Sequence, residues 1–136
     1  MSFSVSVIAD IFKFPWPLFP KYKNNYILGL RYDIPSLVGP QEFIINLPPN
    51  NKYELQSFAY SSTGYKDSDN YSLLVNDIYV FTNIYTKELG QVKDIRPIKK
   101  ILSVDTVKFI FNNATGTSKV IWIDLDLTCL TPIIHS

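Results

Sequence analysis

The sequence predicts an all-β protein, an antiparallel β-sandwich with an extended N-terminal region rich in proline and aromatic residues. Three observations carry this. The segment Val104–Thr128 alternates apolar and polar residues with a period of two. Short runs rich in Ile, Val, Tyr, Phe and Thr recur between loops of Asn, Asp, Gly, Ser and Pro. No segment holds a helical period over three turns.

Val104–Thr128 is the organising stretch, read as two strands joined as a hairpin. In the first arm Val107, Phe109 and Phe111 alternate with Thr106, Lys108 and Ile110. Asn112–Ser118 has loop composition. In the second arm Ile121, Ile123, Leu125 and Leu127 share one face, and Val120, Trp122, Asp124 and Asp126 share the other. Burying an unpaired carboxylate is costly, so the aspartates mark the outward face and place Trp122 on it.

Composition bounds the rest. With 136 residues, 46% hydrophobic and 18% charged, the chain suits one folded domain with a sizeable core. A net charge of +1 leaves no electrostatic footprint for nucleic acid. Arg31 and Arg96 are the only arginines, which argues against phosphate recognition. Cys129 is the single cysteine, expected in or beside the core, so a disulfide framework is excluded. His135 is the single histidine, and neither a His-based triad nor a zinc site is expected. No signal-peptide pattern and no run of ~18 uncharged apolar residues is seen, so no membrane partner is expected.

Along the chain, Met1–Ile8 alternates Phe3, Val5 and Val7 with serines, as a strand or an added arm would. Ile11–Pro20 holds Pro15, Pro17 and Pro20, which excludes a helix or central strand, and it holds Phe12, Phe14, Trp16 and Phe19. Those rings need cover, from the same chain or from a neighbouring subunit. Tyr26–Tyr32 reads as a strand with Gly29 a bulge or a close approach, and Glu42–Leu47 as another. Pro48-Pro49-Asn50-Asn51 marks the boundary between an N-terminal region, 1–50, and a sandwich over 51–136. Tyr53–Tyr60 is a strand, followed by a loop over Ser61–Asn70. Asp67, Asp69 and Asn70 in that loop read as a solvated turn, because calcium takes about six to eight oxygens and the loop lacks the EF-hand pattern. Tyr71–Val75 and Ile78–Phe81 flank Asn76-Asp77, a hairpin signal, and Asn83–Tyr85 extends the second strand. Thr86–Gly90 reads as a turn or one helical turn. Pro97 confines Ile95–Leu102 to a sheet edge.

Catalytic chemistry has little to stand on. Asp124 and Asp126 point the same way at about 6.5–7 Å on a strand, a spacing that suits an inverting glycosidase, yet no third group or motif accompanies them. No phosphate loop, nucleophile elbow or zinc-protease motif occurs, so no enzyme, metal or cofactor is expected.

The segment from Tyr53 to Thr128 resembles jelly-roll β-sandwich domains of structural proteins in tailed bacteriophages. The resemblance rests on the loop Ser-Ser-Thr-Gly-Tyr-Lys-Asp (61–67), the strand Tyr71–Asn76 leading into a tight turn, and the closing VKFIFNNATGTSKVIWIDLDL (107–127). It implies a non-enzymatic virion component (capsid decoration, neck or tail accessory) assembled in the host cytoplasm, with other virion proteins and copies of itself as partners. Phe12, Phe14, Trp16, Phe19 and Trp122 are then the expected interface anchors in a symmetric homo-oligomer. Carbohydrate-binding modules use similar sandwiches. On that alternative the glycan surface is Trp122, Asp124 and Asp126, helped by Tyr65 and Tyr71.

Overall fold

A computed structural model describes residues 22–64 and 66–131. Eight strands follow in order: β1 (Tyr22–Ile34), β2 (Gly39–Ile45), β3 (Lys52–Ser62), β4 (Asn70–Val75), β5 (Ile78–Tyr85), β6 (Gln91–Leu102), β7 (Val107–Asn113) and β8 (Lys119–Thr131). They form two four-stranded sheets, ordered β1-β8-β3-β6 and β2-β7-β4-β5. Every pairing is antiparallel. First pairs with last, second with seventh, third with sixth and fourth with fifth. That nesting is the jelly roll: an antiparallel ribbon rolled so that its two halves face each other. The fold class read from the sequence is therefore the one observed.

The two arms of Val104–Thr128 are β7 and β8, but they are not hydrogen-bonded to each other. β7 lies between β2 and β4, and β8 between β1 and β3, in the opposite sheet. Each arm buries a run of apolar residues on one face. Val107, Phe109 and Phe111 on one and Ile121, Ile123, Leu125 and Leu127 on the other are completely buried. Setting them in facing sheets closes the core between them. A hairpin would have put both faces on one side of a single sheet.

The boundary expected at 48–51 is a loop inside the domain. β1 pairs with β8 along its whole length and β2 with β7, so among the described residues the part of the chain before the loop supplies one edge strand to each sheet. The arm carrying Phe12, Phe14, Trp16 and Phe19 lies outside the described residues, as do the Met1–Ile8 alternation and His135.

Elsewhere the strands fall near the expected places. Asn76 and Asp77 both have positive φ, 51° and 65°, as a two-residue type I′ hairpin turn requires. β6 is an edge strand, and the register of its pairing shifts opposite Leu55 and Ser57, where Pro97 sits without a ladder donor to lose. Thr86–Gly90 is an irregular turn. Gly29 makes a close approach without a bulge, because a Cβ there would lie 3.0 Å from Asp124 Oδ1 and the β1–β8 register is unbroken. Cys129 is half-buried against the core.

Aromatic rings fill the middle of the sandwich. Phe109 stacks with Phe58 at 5.8 Å and with Tyr32 at 6.2 Å, and Tyr60 stacks on Tyr71 at 4.3 Å. Burial pushes the Tyr60 hydroxyl up to about 12, and Tyr71 is raised for the same reason and then by Tyr60 beside it. A raised folded value stabilises the fold fully below the unfolded value of 10.0, and that contribution is lost as pH rises through the folded value. Circular dichroism read with tyrosinate absorbance should show cooperative alkaline unfolding between pH 10.0 and about 12, not a gradual titration of intact protein.

Candidate functional site

Two features stand apart from the packing of the core. The first is the outward face of β8. Alternation puts Trp122, Asp124 and Asp126 there, as the sequence predicts, and the flanking strands supply their neighbours. Trp122 lies between Arg31 and Ser61, Asp124 between Gly29 and Ala59, and Asp126 between Ile27 and Ser57. Trp122 is 40% exposed. Ala59, Ser61 and Gly90 are small, so the surface beside the indole sinks into an open hollow of about 310 Å³, with Val92 on its far side. Ser57 Oγ donates to Asp126 Oδ2 at 3.3 Å. Asp124 has no such partner among the described residues, and its carboxylate lies over Gly29. Arg31 turns to Asp33 at 3.3 Å, a pair exposed on both sides and worth little.

Such a face can hold an amphipathic ligand. The indole offers an apolar platform and the Asp124 carboxylate accepts hydroxyl or N–H donors. Among the described residues no three His, Cys, Asp or Glu side chains converge as metal ligands. Of the helpers expected here, Tyr71 belongs instead to the core: β4 is covered on both faces, and the Tyr71 hydroxyl donates to Gln91 Oε1 at 3.3 Å. Tyr65 lies outside the described residues.

The second feature is buried. At the end of the sandwich where β7 passes into β8, Lys119 Nζ donates to Asp69 Oδ2 at 2.6 Å and to Asn113 Oδ1 at 2.9 Å. The Lys119 and Asp69 side chains are each 1% exposed. Asn113 Nδ2 donates to the carbonyls of Pro35 and Thr117, both at 3.1 Å. Thr115 donates to Asp69 Oδ1 from its backbone N and from Oγ1, each at 3.3 Å. Thr86 N donates to the Asp69 carbonyl at 3.0 Å, and Thr86 Oγ1 to the Lys66 carbonyl at 2.6 Å. The Phe111 ring centroid lies 5.6 Å from Lys119 Nζ. Four loops, those following β1, β3, β5 and β7, are thus tied to one buried ion pair. Asp69 is no part of a solvated turn: a lone buried ammonium demands a carboxylate, and Asp69 supplies it.

Sequence reasoning left out Lys119 and Asn113, though the signal was present. Asn113 is in phase with Val107, Phe109 and Phe111, and Lys119 with Ile121, Ile123 and Leu125. The period that buries the aliphatics buries these two as well. An amide and an ammonium on core faces call for partners.

Fold and face together define the class: an eight-stranded jelly-roll sandwich with an outward aromatic and acidic face on its central strand β8. The chain belongs to the family described as Domain of unknown function (DUF8551), whose model matches residues 23–130. No curated protein matches. Among solved structures the chain is similar to the dimeric latent PorU from Porphyromonas gingivalis, at 12% identity over 83% of this chain and 13% of that one, with a TM-score of 0.36. The match takes in a small part of that much longer chain.

Proposed function

We propose that this protein is a non-enzymatic structural component of a tailed-phage virion, a rigid jelly-roll body that assembles with copies of itself and with other virion proteins. The observation that carries the proposal is the nested strand order, an architecture used by capsid and lectin domains. A fold alone assigns no function, so the surface has to agree with it. It does so in one respect: large apolar side chains are exposed on both sheets, with Ile27, Val92 and Trp122 on one and Ile44, Ile78 and Tyr79 on the other. The sequence adds Phe12, Phe14, Trp16 and Phe19, the residue types that anchor large interfaces.

Light scattering of the purified full chain tests this. The expected mass is a multiple of 15.6 kDa, falling to a single chain when the four N-terminal aromatics are replaced by serine. A parent protein that stays at 15.6 kDa at every concentration would count against self-assembly.

A second reading is favoured by one observation, the Trp122 platform beside a hollow that carries Asp124, whose carboxylate has no hydrogen-bond partner among the described residues. It makes the module a carbohydrate binder. Stacking on the indole would supply most of the affinity, so Trp122→Ala should abolish binding on a glycan array. Asp124→Asn should weaken it about tenfold, the loss of a hydrogen bond to a charged acceptor. Absence of glycan binding by the parent protein, or binding indifferent to Trp122, removes this reading.

A further inference from the structure

The buried cluster at the β7–β8 end has the components of a covalent cross-link. Lys119 places an amine against the side-chain carboxamide of Asn113, with the Asp69 carboxylate touching the same amine. Nζ is 2.9 Å from Asn113 Oδ1, so it lies no more than about 4.1 Å from the carboxamide carbon, given a C=O bond of ~1.2 Å. Reaction needs about 3–3.5 Å, a small adjustment of the long lysine side chain. The carboxamide is already oriented. Its Nδ2 is held away from the amine by the carbonyls of Pro35 and Thr117, so the oxygen side faces Lys119. All three side chains are shielded from water, which would otherwise compete as nucleophile.

We propose that Lys119 and Asn113 join in an intramolecular isopeptide bond, with Asp69 as the proton carrier. One ammonium proton passes along the 2.6 Å hydrogen bond to Asp69 and frees the amine lone pair. Nζ attacks the Asn113 side-chain carbon and the C=O electrons move onto Oδ1. The tetrahedral adduct collapses by breaking the carbon–Nδ2 bond. The departing nitrogen takes a proton from Nζ and the one held by Asp69, and leaves as ammonium. An amide remains, Asp69 is again a carboxylate, and no oxidant or reductant is needed. Asp69 keeps the Thr115 N–H and hydroxyl donors and gains the new amide N–H. The link ties β7 of one sheet to β8 of the other across the loop 114–118. It closes the sandwich at this end, whatever the protein binds on its outer faces.

Mass spectrometry of the intact chain tests it directly. The linked protein is expected to be about 17 Da lighter than its sequence, the mass of ammonia. Trypsin should fail to cut after Lys119, giving one peptide from Phe109 to Ser136 that carries the deficit. Lys119→Arg removes the nucleophile and keeps the charge, so it should restore the full mass. Full mass in the parent with normal cleavage at Lys119 would overturn the proposal and leave a simple ion pair. The same deficit with cleavage at Lys119 intact would also overturn it, because it would mark a succinimide at Asn113. A deficit that persists in Lys119→Arg would do so too.

Discussion

Asp69→Ala is expected to destabilise the fold by about 3–5 kcal/mol: without its proton acceptor Lys119 stays unlinked, a buried ammonium left without its partner. The Lys119 side chain is 1% exposed and cannot swing into water without opening the loops around it. Asp69 also accepts both Thr115 hydrogen bonds, so its loss frees two loops together. Denaturant titration of parent and variant measures the difference. A change below about 1 kcal/mol, the scale of an exposed ion pair, would mean that the cluster is wet in solution and the loops are held by other contacts.

Phe109→Ala is expected to cost about as much, 3–5 kcal/mol or thereabouts, by the different route of an unfilled cavity. Phe109 is completely buried at the centre of β7, in contact with rings from both sheets: Tyr32 and Phe58 across the core, Phe43 and Tyr71 beside it. The surrounding rings are themselves pinned by stacking and cannot collapse into the space. A lower midpoint with an unchanged denaturant slope is the expected form of the result, since the unfolded surface is the same. Phe109→Leu should recover much of the loss because it refills most of the volume.

Much of the fold was legible because one rule governs it. Period-two alternation located β7 and β8 and told inside from outside, and it set Trp122, Asp124 and Asp126 on the outer face. Local turn chemistry located the Asn76-Asp77 hairpin. What alternation does not encode is which sheet a strand joins. β7 and β8 look like a hairpin because each is apolar on one side and five loop residues lie between them. Only their pairing with β2 and β4, and with β1 and β3, separates them. For the same reason β1 and β2 read as an appendage: their partners are β8 and β7, far along the chain, and a pattern within fifty residues cannot show that. The candidate sites divide likewise. The outer face follows from the strand period. The Asp69–Lys119–Asn113 cluster needs the loop after β3 brought beside the end of β7, a contact across some fifty residues of chain. Its one local trace is a lysine and an asparagine in phase with buried aliphatics.

The central claim is that this jelly roll is a building block of a virion. Phage particles purified by density gradient from a lysed culture of the host, and digested for peptide mass spectrometry, test it most directly. The account predicts peptides of this chain in the particle band, in constant ratio to the major capsid protein across the peak. Peptides confined to the soluble fraction, with none in the band, would contradict it.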